Sequence, residues 1–288
     1  MLVGQLYRQV RNRFRQAGLS TPELDAKLLV SAALEMSVSD LVLNETDEVG
    51  FHGVELANGH AEKRLGGMPV GRILGEREFY GRSFRLNAAT LEPRPDTEVL
   101  IDAVLQRSDP ESPSLMCDIG TGTGAIAVTL LAELPRSSMI ALDLSEDALA
   151  CASANASSHG VGERFFPLCA DYLSALGQAE SSSAGPGLDW IISNPPYIRT
   201  AILQELSREV IQHDPNLALD GGETGLEAYV RIVTDAVHLL RPGGQIAFEI
   251  GYDQAGDVKK QLRHHGFGAI EIINDLAGND RVVVARKM

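Results

Sequence analysis

From Ser114 onward, short apolar strands alternate with helices, and this alternation constrains the chain more than any other feature. Leu115–Ile119, Met139–Leu142, Arg164–Ala170, Trp190–Ile192 and Gln245–Ile250 read as strands. Ala125–Leu134, the segment opened by Ser145-Glu146-Asp147 and running through Ala154, Leu226–Leu240 and Gln254–His265 read as helices. Two further strands, Ala269–Ile273 and Arg281–Ala285, close the chain, and Gly177–Gly187, rich in Ser, Gly and Ala, reads as a surface loop. Strands that take turns with helices pair through crossovers, so the expected fold is α/β, a mostly parallel sheet with helices on both faces. There is no internal repeat.

The first strand runs into Asp118-Ile119-Gly120-Thr121-Gly122-Thr123-Gly124, and a helix follows. Glycines there let the backbone turn tightly and approach a ligand, and the helix start offers free N–H groups. The spacing fits neither the dinucleotide fingerprint nor a P-loop, which would need Gly-Lys-Ser/Thr next. Asp143 ends the second strand, about 20 residues on, where a carboxylate can accept hydrogen bonds from ribose hydroxyls. Asp118 lies where a cationic amino-acid group would sit, and Asp171-Tyr172 follow the third strand, where an adenine would bind. Glycines that only make turns and acids that only cap helices are the plainer reading, weakened here by the order in which all the pieces occur.

Ser193-Asn194-Pro195-Pro196-Tyr197 closes the fourth strand. The prolines stiffen the backbone and remove two N–H donors, which leaves carbonyl acceptors. Asn194 adds a side-chain carbonyl, and two acceptors converging on one point suit an NH₂ group. Tyr197 offers a flat face for a planar amide or base.

Residues 1 to about 70 read as helical. Ser20-Thr21-Pro22-Glu23 gives a helix start, a hydroxyl cap with proline at the first helical position and Glu three after Ser20, and Leu24, Leu28, Leu29, Ala32 and Ala33 recur at helical spacing. A further helix is expected over Val54–Leu65, broken by Gly66-Gly67-Met68-Pro69. Two short strands around Gly81 suggest a hairpin, and Pro93-Arg94-Pro95 stiffens the exit toward a helix at Thr97–Leu105. The expected domains are a helical unit over 1–72, a β-hairpin linker over 73–95 and a catalytic domain over 96–288.

Composition narrows the partners. The 288 residues are 44% hydrophobic and 22% charged, a soluble globular balance. No apolar run approaches the ~18 residues of a membrane helix, and the start lacks a signal-peptide core, so no membrane is expected and the chain is read as cytoplasmic. The net charge of −14 argues against nucleic acid, since phosphate affinity rests on Lys and Arg. The cluster Arg8-Arg11-Arg13-Arg15 fits a solvated helix face at least as well as a phosphate site. Cys117, Cys151 and Cys169 are unpaired in spacing and read as small buried apolar residues, and no metal-ligand spacing is present.

With Gly67-Met68-Pro69, Ile73-Leu74-Gly75, Glu78-Phe79-Tyr80-Gly81, Pro93-Arg94-Pro95-Asp96-Thr97-Glu98, the Asp118–Ala127 loop, Asn194-Pro195-Pro196-Tyr197-Ile198, Pro215 with Ala218-Leu219, Gly221-Gly222, Gly225-Leu226, Glu249-Ile250-Gly251 and Gly278-Asn279-Asp280-Arg281, the chain resembles the peptide chain release factor glutamine methyltransferases, also called HemK-type, over nearly its whole length. The Asn-Pro-Pro-Tyr motif alone is shared with enzymes that methylate nucleic-acid amino groups, and the Pro93–Glu98 segment narrows the choice. The resemblance implies a class I S-adenosylmethionine-dependent methyltransferase, Rossmann-like, behind a small N-terminal helical bundle that helps bind the release factor. It implies S-adenosylmethionine at Asp118, Gly120, Thr121, Gly122, Thr123, Gly124, Asp143, Asp171, Tyr172 and Asn194. The glutamine of a Gly-Gly-Gln motif would be held by Asn194, Pro195, Pro196 and Tyr197, with Leu91 walling the pocket and Asn194, Pro195 and Tyr197 carrying the chemistry. Glu92, Gly71-Arg72 and His213-Asp214 depart from the family pattern. The rivals are a DNA or RNA amino-methyltransferase acting on adenine or cytosine, and a non-catalytic scaffold, which intact glycines and an intact Asn194 disfavour.

Overall fold

The computed structural model describes residues 1–176 and 187–288. In chain order it holds α1 (Val3–Gln16), α2 (Pro22–Ala33), α3 (Val38–Leu43), α4 (Phe51–Leu65), α5 (Val70–Leu74), β1 (Glu76–Phe79), β2 (Arg82–Arg85), α6 (Glu98–Leu105), β3 (Leu115–Ile119), α7 (Ala125–Glu133), β4 (Ser138–Asp143), α8 (Glu146–Ser158), β5 (Phe165–Cys169), β6 (Leu188–Ser193), α9 (Arg208–His213), α10 (Glu227–Leu239), β7 (Leu240–Glu249), α11 (Ala255–His264), β8 (Phe267–Asn274) and β9 (Asp280–Lys287). The stretch read as a loop over Gly177–Gly187 lies, Gly187 apart, outside the described residues. Contacts divide the chain into two units, Met1–Glu76 with Arg208–His213, and Arg77–Ser207 with Asp214–Met288.

The helical unit packs Leu6, Val10, Phe14, Leu29, Val30, Ala57 and Ala61 into a fully buried core. Its helix α2 corrects the expected stripe. Pro22 takes the first helical position, as expected, with Thr21 at the N-cap, but the Thr21 hydroxyl donates to Asp25 instead of capping. The buried face is Asp25, Ala26, Leu29, Val30 and Ala33, while Leu24 is 53% exposed. A buried acid sits in that face because Arg64 of α4, itself 5% exposed, donates to Asp25 at 2.7 Å and to Glu209 of α9 at 2.6 Å. Buried charges persist only when paired in this way. On α1, Arg8 pairs with Glu45, Arg13 with Glu62 and Arg15 with Glu23, while Arg11 stacks over Tyr7. Acids of the same unit thus compensate three of the four arginines in this cluster.

In the second unit seven strands form one sheet in the order β5-β4-β3-β6-β7-β9-β8. Strands β3 to β7 run parallel, and β9 lies antiparallel between β7 and β8. Side chains alternate in period two and both faces are covered. Met116, Met139, Trp190, Ala247 and Val284 join α6, α7 and α8 on one side, and Phe79 and Phe84 of the hairpin enter the same core. Cys117, Leu142, Ile191, Phe248 and Val283 join α10 and α11 on the other. Cys117 and Cys151 are buried as expected, but Cys169 is exposed, because it ends the edge strand β5, whose last four residues all face solvent. Among the described residues no helix is long and apolar enough to cross a membrane. The strand order reverses at β3, which is flanked by β4 and β6, so a crevice opens at the carboxyl ends of these strands.

Candidate active site

Beyond β3 the backbone turns through Gly120, Gly122 and Gly124 at φ of 71°, 55° and 79°, a region that favours glycine. The N–H groups of Gly120 and Thr121 both donate to the Leu142 carbonyl at 2.9 Å and fasten the turn to the end of β4. Asp143 accepts from Gly122 N on one oxygen and Ser145 N on the other, each at 2.9 Å. A carboxylate has about four acceptor positions, so both oxygens keep capacity for a ligand. Gly124 has a different task. A Cβ there would stand 3.1 Å from the Ala152 Cβ, so this glycine serves the packing of α7 on α8. Behind the turn, Asn155 of α8 is fully buried and donates to the carbonyls of Thr123 and Arg85 while accepting from Arg85 N.

Asp118 is fully buried. One of its oxygens accepts from the Thr121 hydroxyl at 2.7 Å, and the other has no hydrogen-bond partner among the described residues. Burial pushes its carboxyl up to about 7, against the Thr121 bond and the pull of the Ala127 backbone N–H and with the help of the nearby Asp143 charge. An orphaned buried carboxylate oxygen fits a cationic ligand group close by.

At the end of β5, Tyr172 stands at φ 50° with its ring 4.5 Å from the guanidinium of Arg231, to which Asp171 is also bonded at 2.6 Å. A non-glycine residue held in the left-handed region marks a place where the surroundings override local preference. At the end of β6, the Ser193 hydroxyl donates to the Ile119 carbonyl at 2.7 Å and ties β6 to β3. Asn194 Nδ2 donates to Thr97 Oγ1 at 3.2 Å, and Thr97 Oγ1 donates to Glu249 Oε2 at 2.6 Å. Glu249 is 2% exposed, and burial pushes it up to about 7 although bonds from Thr97 and Asn194 and the Arg281 charge oppose this. Tyr197 is half-buried, and its phenol is raised to about 12 by burial and the Glu249 charge. A strap at 219–225 holds the motif from behind: Ile198 N bonds the Leu219 carbonyl and Gly221 N the Ile198 carbonyl. A Cβ on Gly225 would stand 2.5 Å from the Tyr197 carbonyl oxygen, so only glycine fits there.

These strand ends surround a cavity of about 250 Å³. Leu91, Gly120, Gly122, Asp143, Tyr172, Asn194 and Pro196, all expected from the sequence, are among its walls. Asp118, Thr121, Thr123, Gly124, Asp171, Pro195 and Tyr197 are not, although each except Gly124 adjoins a wall residue in the chain. The sequence reading did not foresee the walls Ala89, Ser145, Pro215, Leu217 and Ala218, nor the supporting Thr97, Glu249, Asn155 and Arg231. Thr97 and Glu249 lay inside segments that carried the family resemblance, and that was the available signal. Two of the departures also find a place. Glu92 is buried and pairs with Arg77 at 3.3 Å, and Asp214, also buried, pairs with Arg94 at 2.7 Å just before the wall Pro215–Ala218. Among the described residues no cluster of His, Cys, Asp and Glu is arranged to hold a metal ion. Apolar walls, a glycine turn with acceptors beside it and a lone buried acid together fit a nucleoside that carries a cationic tail.

Residues 5–75 match the PrmC N-terminal domain and residues 95–224 the methyltransferase small domain. A release factor glutamine methyltransferase of Agrobacterium fabrum is 40% identical over 281 residues, 96% of this chain and 94% of that protein. One of Bradyrhizobium diazoefficiens is 40% identical over 290 residues, covering 98% and 93%. The crystal structure of a methyltransferase from Pyrococcus furiosus shares the fold, with a TM-score of 0.50 and 16% identity over 73% of this chain and 90% of that one. With such identity over nearly the full length of both chains, this chain belongs to the release factor glutamine methyltransferase family.

Proposed function

We propose that the chain methylates the side-chain amide nitrogen of the glutamine in the Gly-Gly-Gln motif of peptide chain release factors, with S-adenosylmethionine as methyl donor. The observation that carries this reading is Asn194, whose amide stands in the wall of the cavity with its nitrogen already bonded to Thr97, leaving its carbonyl for a ligand. An amide nitrogen is a poor nucleophile because its lone pair is delocalised. Asn194 Oδ1 and a carbonyl of the proline pair would accept its two N–H groups, draw electron density onto nitrogen and aim the lone pair. Tyr197 and Pro196 would pack the planar amide, and Leu91 would close the wall. The cofactor supplies an electrophilic methyl on a sulfonium, a good leaving group, so the protein needs neither a metal nor a strong base, and the proton shed by the methylated nitrogen passes to water.

For the cofactor, Gly120 and Gly122 would let the backbone close in, flanked by Thr121, Thr123 and Gly124. Asp143 would take the ribose hydroxyls through its unused lone pairs. Tyr172 would flank the adenine, steadied by Arg231 and Asp171, and Asp118 would face the cationic end. The helical unit, free of catalytic signatures, would recognise the body of the release factor in the cytoplasm. Catalysis here is positioning plus preorganised acceptors.

The test is mass spectrometry of a release factor after incubation with the protein and S-adenosylmethionine. One methyl group on the Gly-Gly-Gln glutamine is expected. Asn194→Ala should lower kcat on the order of 10²–10³-fold, as for loss of one preorganised partner, with a much smaller fall in cofactor affinity. An unmodified factor, or methyl found instead on an adenine or cytosine, overturns the reading.

A further inference from the structure

We infer that Thr97 and Glu249 act as a pair of positioning residues that fix which way round the Asn194 amide stands, so that its carbonyl rather than its NH₂ faces the substrate nitrogen. The inference rests on the reading above and adds the residues that enforce its geometry.

The argument is one of donors and acceptors. An amide can be turned over with little change of shape, and the choice between its two orientations is made by its neighbours. An ionised carboxylate only accepts. The Thr97 hydroxyl, 2.6 Å from Glu249, therefore spends its single proton on that carboxylate. Its oxygen can then only accept from Asn194, 3.2 Å away. The Glu249 carboxylate lies behind Thr97, and the Asn194 side chain helps to hold it ionised. Both groups behind Asn194 are thus acceptors, and the nitrogen end of the amide must turn toward them. Turned over, Asn194 would set its carbonyl against acceptors and offer N–H to a substrate N–H, which is repulsive at both ends. The three residues come from the turn before α6, the end of β6 and the end of β7, brought together by the sheet order.

Protonated Glu249 would no longer enforce this polarity. Its O–H could donate to Thr97, whose proton would then turn to the Asn194 carbonyl and occupy the acceptor. The groups that face Glu249 are Thr97 and Asp96 ahead of α6, Asn194 and Tyr197 after β6, Arg281 of β9, and Tyr229 of α10, whose hydroxyl donates to the Glu249 backbone carbonyl at 2.9 Å. Of these, Arg281 favours the ionised form and Asp96 opposes it.

The experiment measures single-turnover methylation of the release factor at saturating S-adenosylmethionine, between about pH 6 and 8, with cofactor affinity read by calorimetry. Thr97→Val keeps the shape and loses the hydroxyl. It should slow transfer on the order of 10–100-fold, the usual cost of losing an orienting outer hydrogen bond, with the cofactor Kd within about twofold of wild type. Thr97→Ser restores the hydroxyl and should keep both the rate and its fall toward acid. Glu249→Gln, an amide that can present either end, should be slower at pH 8 and lack the wild-type fall toward acid. Transfer by folded Thr97→Val within about twofold of wild type, or an unchanged acid limb in Glu249→Gln, overturns the inference while an active wild type leaves the proposed substrate standing. A wild type that leaves the factor unmodified removes the substrate reading, and this inference with it.

Discussion

A carboxyl group sealed from water with one oxygen unbonded is a cost the fold carries at Asp118. Its pKa rises from 3.8 to about 7 on folding. Below about pH 4 the group is neutral in both states and costs nothing. Between about pH 4 and 7 the unfolded chain ionises while the folded one keeps its proton, so stability falls as pH rises. Above 7 both are ionised and the loss is complete, roughly 4 kcal/mol at about 1.4 kcal/mol per pH unit. Asp118→Asn should therefore lose less stability between pH 5 and 8 than wild type in urea unfolding without cofactor, while binding the cofactor more weakly. Equal losses in the two proteins would show that Asp118 is not the group responsible. At this scale the sequence was informative wherever chemistry and spacing lay close together in the chain. Gly120, Gly122, Asp143 and Asn194 could all be named from it, and all stand in the cavity wall. Thr97 and Glu249 could not be assigned a task, because their bond spans 152 residues and depends on which strands end side by side.

Elements show the same division between local and distant causes. Helix α3 carries its own start signal, Ser37 accepting from Asp40 N at 3.0 Å, and a search for Ser-x-x-Asp would have found it. The buried face of α2 could not be read from apolar spacing, because Asp25 is made tolerable by Arg64, 39 residues away. Strands β3 and β4 were legible almost to the residue, whereas β7 begins at Leu240, five positions before the expected Gln245, across Gly243-Gly244 where local preference argues for a break. Helix α8 offers a test of how one element supports another. Asn155 satisfies the carbonyls of Thr123 and Arg85 and the N–H of Arg85. Asn155→Ala leaves the buried Thr123 carbonyl and the partly buried Arg85 N–H without this partner, while the Arg85 carbonyl keeps the Cys151 thiol at 3.1 Å; an unsatisfied buried group costs about 1–3 kcal/mol. The variant should lose roughly 2–4 kcal/mol in urea unfolding, and its glycine turn, no longer held from behind, should bind S-adenosylmethionine less tightly. A loss under about 0.5 kcal/mol, typical of surface changes, would mean that other groups take over these bonds.

On the scale of the whole molecule, composition breaks suggest boundaries near 72 and 95, while contacts carry the helical unit to Glu76 and add Arg208–His213 from far along the chain. No local signal could announce that return, since it is expressed in the bond from Arg64 to Glu209 across 145 residues. The sheet of the second unit has a consequence of another kind, which concerns other copies of the same protein. An open sheet ends in two rows of unpaired backbone groups, and such rows invite lateral growth. At one border lies β5, with Phe166 50% and Leu168 37% exposed. Ala170 N donates inward to the Asp143 carbonyl, so by alternation the amide of residue 167 points outward, and that residue is proline, which has no proton to offer. At the other border, β8 breaks register between Gly268 and Glu271, with Ala269 twisted to φ 46°. Each rim is thus spoiled as a template by a different device. Pro167→Val would give the β5 rim a donor and a strong strand former between two exposed apolar side chains. Sedimentation should then show concentration-dependent association where wild type shows less, and identical profiles would mean that the proline is not what keeps this rim solitary.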